Sequence, residues 1–196
     1  MNSGACAITA ALTMCDTVFA IDNVPERLAE AEKLGARPIL VSDDPIGKIM
    51  DATEGRGADV VTELVGRVDA LHLAIDIVRP FGFVSSVGVY TEEFTVPASK
   101  LYGRNLTMAF GRCPVRSIFQ DALDILIQEQ EKLKFLCGQT MDLEQAPEAY
   151  EIFEKRKVSF RYDQKIFTSV LTFNRFIKSY SRSEKAVMPM EVYRGV

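Results

Sequence analysis

Apolar and polar positions follow one another along this chain in short β-like runs separated by longer amphipathic ones. From Gly4, the apolar residues Ala5, Ile8 and Leu12 recur at helical spacing with small residues between them, which predicts a helix able to lie close on a sheet. Residues 17–21 form a short apolar run closed by Asp22 and predict a strand. A helix is expected over 25–34, with Pro25 in its first turn and Gly35 as its stop, and a strand over 38–41. Asp44 and Pro45 open a helix that runs through Met50, Gly55 and Gly57 turn the chain, and residues 59–65 read as a strand ended by Gly66. A helix over 69–78 stops at Arg79 and Pro80. Strands are then expected over 81–89 and 106–110, a helix over 116–131 with Ile118, Leu123, Leu126 and Ile127 as apolar positions, and a short helix over 147–155. Strands apolar on both faces, alternating with amphipathic helices, need a parallel sheet covered on both sides, so the expected class is α/β and doubly wound.

Composition fits one ordinary globular domain: 196 residues, 47% hydrophobic and 26% charged, enough to bury a core without staples. Charge divides the chain. Residues 155–196 carry 10 Lys and Arg against 3 Asp and Glu, whereas 1–154 carry 13 against 24. Two parts are therefore expected: 1–157, and a basic tail over 158–196 that is β-prone at 158–160 and 165–173 and aperiodic and mobile from 179 onward. The basic residues of the tail are scattered, without an aromatic stacking platform or a helical stripe, so no nucleic-acid partner is expected. Cysteines 6, 15, 113 and 137 show neither the density of a disulfide scaffold nor the close pairs of a zinc site, which favours a reducing compartment and a packing role. The apolar stretch from residue 5 to 15 is too short to span a membrane and lacks the basic lead-in of a signal peptide, so a cytoplasmic location is expected.

Two positions suggest chemistry. Asp22 closes the first predicted strand, where a carboxylate can accept hydrogen bonds from adenosine ribose hydroxyls and repel a 2′-phosphate, favouring NAD over NADP. An Asp that merely ends a strand carries the same local signature. The expected partner is a glycine-rich turn about 20 residues earlier; only Gly4 is present, at the place of the third glycine.

The order and spacing of four blocks carry a resemblance. They are Gly4-Ala5 leading into residues 7–11; residues 19–27 with 31–36; residues 57–61 with Leu64, Val65 and Gly66; and residues 82–89. Over 4–157 the chain resembles the nucleotide-binding half of the zinc-type medium-chain alcohol dehydrogenases. The resemblance implies a Rossmann-like doubly wound sheet, NAD as cofactor, and a family activity of zinc-dependent hydride transfer between an alcohol and NAD. It places Asp22 at the adenosine ribose with Arg27 beside it, Arg67 against the adenine face, and Val65, Gly66, Val87, Gly88 and Val89 along the nicotinamide end. Arg67 as a solvated charge and Gly88 as a bend in its strand remain alternatives. The resemblance also implies pairing through residues 89–110, with a second copy or with a full-length relative.

Departures from the family are equally specific. The zinc ligands belong to a part of the family fold not seen in this sequence, and no catalytic or metal-binding residue is expected; His72, the only histidine, reads as structural. The family's first strand is also missing. It lies at the centre of the sheet, and losing it would cost more than the net stability of about 5–15 kcal/mol that a domain has, so the sheet is expected to be incomplete and either unstable or rearranged. Residues 165–173 could supply a replacement strand. Three functional expectations follow: a truncated dehydrogenase-like protein with a partial NAD-binding domain and no zinc-dependent activity of its own; a non-catalytic partner subunit of a complete relative; or a fragmentary gene product without function.

Overall fold

A computed structural model describes residues 2–137, 151 and 170–174. Helix α1 (Asn2–Leu12) leads into β1 (Thr17–Asp22), α2 (Pro25–Leu34), β2 (Arg37–Leu40), α3 (Pro45–Ala52), β3 (Ala58–Glu63), α4 (Val68–Ile77) and β4 (Val78–Ser86). Helix α5 (Ala98–Arg104), β5 (Thr107–Phe110) and α6 (Val115–Leu133) follow, α6 tightening into a 3₁₀ turn (Lys134–Cys137), and β6 (Val170–Asn174) completes the fold.

The six strands form one sheet in the order β2-β1-β6-β3-β4-β5. Pairs β1/β2, β3/β4 and β4/β5 are parallel. Strand β6 lies between β1 and β3 and runs antiparallel to both, with Val170 opposite Ile21 and Glu63, and Asn174 opposite Thr17. The expectation of an incomplete sheet is thereby corrected: the central slot is filled, by residues 170–174, of which 170–173 belong to the β-prone stretch at 165–173. The physical reason is the one that made a gap costly. Backbone groups on the inner edges of β1 and β3 need partners, and an antiparallel strand satisfies them as well as a parallel one. Residues 170–174 therefore join the sheet at its middle.

Both faces are covered. Phe19 and Ile21 of β1 pack with Ile49 of α3 and Leu71 and Ile75 of α4, while the alternate residues Val18 and Ala20 pack with Ala5 and Ile8 of α1, Leu28 and Ala31 of α2 and Leu133 at the end of α6. This opposite-face alternation along one strand makes the fold doubly wound.

Helix punctuation follows the sequence. Gly35 ends α2 in the left-handed region (φ 106°), with its N–H on the Ala31 and Glu32 carbonyls. Asp44 caps α3 by accepting from the Gly47 N–H at 3.0 Å. Three elements differ from expectation. Strand β4 starts at Val78 and ends at Ser86; between its pairs Ala58/Val78 and Val60/Phe83 it advances five residues while β3 advances two, looping out Phe81 at φ 56°. Residues 87–89 leave the strand because the Val87 and Gly88 N–H groups turn to the Glu63 carbonyl, at 2.8 and 3.3 Å. Helix α5 was not expected: seven residues, none buried, give no apolar period to read. Along α6, Ile118, Leu126 and Ile127 are exposed and only Leu133 is buried, so the stripe expected to face the core does not. Of the helix expected over 147–155 only Glu151 is described, and residues 158–160 and 179–196 lie outside the described residues.

Candidate functional site

The carboxyl ends of β1, β3 and β4 share one edge of the sheet, the edge at which open α/β sheets receive ligands. The residues singled out from sequence gather there in two groups.

The first group is Gly4, Asp22 and Arg27, which line a cavity of about 40 Å³ together with Ala5, Ile8 and Leu28. That space admits roughly three waters. Asp22 is the last residue of β1 and only 4% exposed. Its Oδ1 accepts from the Val24 N–H at 2.9 Å, which closes the turn into α2, and Arg27 Nη1 stands 3.5 Å away. Pro25 starts α2 so that Arg27, within its first turn, returns over Asp22. Gly4 sits inside the first turn of α1 rather than in a loop before it. Since α1 ends at the amino edge where β1 begins, its N-terminal amides lie at the carboxyl edge beside Asp22, in the orientation that favours an anion.

The second group is Val65, Gly66, Arg67, Val87, Gly88 and Val89, in the turns that follow β3 and β4. The two glycines meet each other. A Cβ on Gly66 (φ 77°) would lie 2.6 Å from Val89 N, and a Cβ on Gly88 would lie 2.5 Å from Gly66 Cα and 2.8 Å from Glu63 Oε2. Glycine at both positions thus allows one turn to rest on the other. Arg67 makes a two-pronged ion pair with Asp69, Nε to Oδ1 at 3.0 Å and Nη2 to Oδ2 at 3.1 Å, and this bond holds the Asp69 carboxyl below its usual range. The Arg67 side chain is half exposed. Val87 and Val89 project into solvent.

Sequence reasoning missed what joins these turns. Glu63, the last residue of β3, is fully buried. Its Oε1 accepts from the Val65 and Gly66 N–H groups at 2.6 and 2.7 Å, and its Oε2 from Ser86 Oγ at 2.8 Å and Tyr90 Oη at 2.6 Å. Four donors satisfy a buried carboxylate whose desolvation would otherwise be costly. Burial, with the Glu63 bond behind it, pushes the Tyr90 hydroxyl well above its ordinary pKa, so that it stays a donor. The signal was available: an acidic residue inside the apolar run Asp59-Val60-Val61-Thr62-Glu63-Leu64-Val65 asks for buried partners.

Among the described residues no three His, Cys, Asp or Glu side chains come together to hold a metal ion, so the zinc of the resembling family finds no ligand set there. His72 is exposed and bonds the Thr95 carbonyl at 3.0 Å through Nε2. The packing role expected of the cysteines holds for Cys15, which lies against the α1–α2 cluster, but Cys6 and Cys113 are exposed. No helix among the described residues is long and apolar enough to cross a membrane.

Comparison with known proteins extends this geometry. Residues 4–128 match the family described as zinc-binding dehydrogenase. Over 159 residues, 79% of the chain, it is 42% identical to zinc-type alcohol dehydrogenase B of Aspergillus flavus, of which it spans 37%. It is 48% identical over 103 residues, 50% of the chain, to a medium chain reductase/dehydrogenase of an Acremonium species, spanning 35% of that protein. Among solved structures, an alcohol dehydrogenase from Thermus sp. ATN1 superimposes with a TM-score of 0.64 at 32% identity, over 80% of this chain and 44% of that one.

Proposed function

Because this chain belongs to the zinc-binding dehydrogenase family, we propose that it is the nucleotide-holding part of an NAD-linked alcohol dehydrogenase, binding NAD at the carboxyl edge of its sheet without turning over alcohol by itself. The observation that carries this is Asp22, a buried carboxylate at the end of β1 beside Gly4 and the first turn of α1.

The residues present fit the adenosine half of the cofactor. Asp22, held in place by Val24 and Arg27, supplies the acceptor for ribose hydroxyls, and its charge opposes a 2′-phosphate. The α1 amides supply donors to the pyrophosphate, and Arg67 offers a flat cation to the adenine. At the other end, the turns pinned by Glu63 set the wall against which the nicotinamide would lie. NAD supplies hydride acceptance when bound; the described residues include no cluster of metal-ligating side chains to hold a zinc that would polarise an alcohol.

Calorimetry with NAD and NADP on the purified chain tests this. Binding of NAD well above NADP, weakened by Asp22→Ala, is expected, along with no NAD-linked alcohol oxidation in the presence of zinc. Absence of heat with either nucleotide would end the cofactor proposal, and turnover would end the second half.

A partner-subunit role has its own support in one observation. Strand β5 is a sheet edge, and Val89, Tyr102 and Phe110 near it are 75%, 88% and 49% exposed. Unpaired strand groups beside apolar side chains suit edge-to-edge pairing with a second copy or a complete relative. Co-expression with a full-length family member followed by size-exclusion chromatography decides it, two separate peaks counting against pairing.

A further inference from the structure

We propose that Tyr90 is a positioning residue: through Glu63 its hydroxyl latches the turn at 87–89 onto the turn at 64–67, and this latch sets the affinity of the site for the nicotinamide half of the cofactor. The inference rests on the NAD-binding proposal and goes beyond it by assigning a residue that touches neither the ribose carboxylate nor any of the glycines.

The case is geometric. The turn after β3 is tied to Glu63 through the backbone amides of Val65 and Gly66. The turn after β4 is tied to the same carboxylate from two sides. Ser86 binds it before the turn, but Ser86 is a strand residue held in register with Phe110 whatever the turn does. Tyr90 binds it after the turn, and among the described hydrogen bonds it is the one that anchors the far end of 87–89 to Glu63. All five residues expected at the nicotinamide end (Val65, Gly66, Val87, Gly88, Val89) lie in the two turns so joined.

Ring and hydroxyl of Tyr90 have separable tasks. The ring packs on Phe94 at 5.0 Å and Phe110 at 6.3 Å between centroids, and Phe94 stacks on Phe110 at 5.8 Å, so the apolar anchor does not depend on the oxygen. The Tyr90 oxygen also stands 2.9 Å from Ser86 Oγ, a contact in which either hydroxyl can donate, and it leaves together with the bond to the carboxylate when the oxygen is removed. Tyr90→Phe therefore removes the latch and leaves the packing. The near end of the turn stays on the Glu63 carbonyl through the Val87 and Gly88 N–H groups, while its far end, freed from the carboxylate, must be ordered again by the ligand that leans on it, which weakens binding of that ligand.

The test compares two ligands on the full chain: ADP-ribose, which carries the adenosine and pyrophosphate groups, and NADH, which adds the reduced nicotinamide and brings its own fluorescence. For Tyr90→Phe the expected result is ADP-ribose affinity within about twofold of the parent and NADH affinity about tenfold weaker, with loss of the emission change that accompanies nicotinamide binding. Unchanged NADH affinity overturns the proposal. Loss of both ligands also overturns it, since Tyr90 would then be holding the fold rather than one half of the site. If the parent chain binds neither ligand, the cofactor proposal itself falls and takes this inference with it; parental binding of ADP-ribose with no added affinity for NADH refutes the latch alone.

Discussion

Replacing Gly88 with alanine puts the contact between the two turns to a quantitative test. The added Cβ would sit 2.5 Å from Gly66 Cα and 2.8 Å from Glu63 Oε2 and would also strike the Gly66 nitrogen. Ordinary carbon contacts begin near 3.5 Å, so the turns must part by about 1 Å. Neither side yields cheaply, because the nearest atoms are backbone and a buried carboxylate rather than the tip of a mobile chain. Parting the turns stretches the 2.7 Å bond from the Gly66 N–H to Glu63 and the 2.6 Å bond from Tyr90 beyond useful length. Overpacking costs about 1–3 kcal/mol, and weakening a bond to a buried charge costs about 1.5–3 kcal/mol, so a total of about 3 kcal/mol is expected with partial relaxation. For a chain of this size that lowers the melting temperature by about 6–12 °C. The assay is thermal unfolding followed by circular dichroism, with Gly103→Ala as the control. Gly103 lies in α5 with nothing within 4 Å of its would-be Cβ, and alanine should raise stability there by about 0.5–1 kcal/mol through helix propensity alone. A drop of less than about 2 °C for Gly88→Ala would refute the contact between the turns.

Other elements give independent tests. Phe81 is held in the left-handed region at φ 56° with its side chain 72% exposed, so Phe81→Gly should remove about 1–2 kcal/mol of backbone strain against a smaller entropic cost and raise the urea midpoint at constant slope; a lowered midpoint would mean that the ring is packed. Arg104 donates from Nη1 to the Ile75 carbonyl at 2.6 Å and from Nη2 to that of Val78, closing the end of α4, and lysine cannot span both acceptors. Arg104→Lys should cost about 1–2 kcal/mol and speed amide exchange at the end of α4, whereas unchanged exchange would sink the assignment. Arg67 holds the Asp69 carboxyl below its usual range, so the contribution of that pair is present above an ordinary carboxylate pKa of about 4 and is lost as pH falls through the lower folded value. Carbon-13 titration of Arg67→Gln should show Asp69 returning toward the ordinary value while overall stability barely moves, as expected of an exposed pair.

What the sequence made legible, and what it did not, follows from how far apart the interacting residues lie. Asp22 and Arg27 are joined by one turn and the start of one helix, so the pairing that the family resemblance implied is one that short-range chain geometry can deliver. Glu63 and Tyr90 lie 27 residues apart on different elements, and nothing local to either names the other. An acidic residue in an apolar strand announces that donors must exist, not where they come from. The apolar stripe of α6 shows the converse limit: its period is correct for a helix, but periodicity only says which residues share a face, not that anything covers it.

The central strand combines both cases. Unpaired edges on β1 and β3 made some strand necessary, and the β-prone run near residue 170 made one available; those two facts are local and were readable. Its direction is not local. Parallel and antiparallel ladders satisfy the same amides and carbonyls, so hydrogen-bond demand fixes the slot and leaves the polarity of its occupant open. The antiparallel choice reverses which end meets the ligand edge. Val170, the first residue of β6, lies beside Ile21 and Glu63, between the adenosine group at Asp22 and the nicotinamide group pinned by Glu63. In a sheet of the usual order the first strand delivers its carboxyl end and a glycine turn to that place. Here an anion-favouring element at this edge is the start of α1, which packs on β1 and β6. Under the NAD-binding proposal, affinity for the pyrophosphate is assigned to the α1 amides and specificity between NAD and NADP to Asp22. Both reside in the first helix–strand unit of the chain, which makes discrimination between the two nucleotides the property least sensitive to which way the central strand runs.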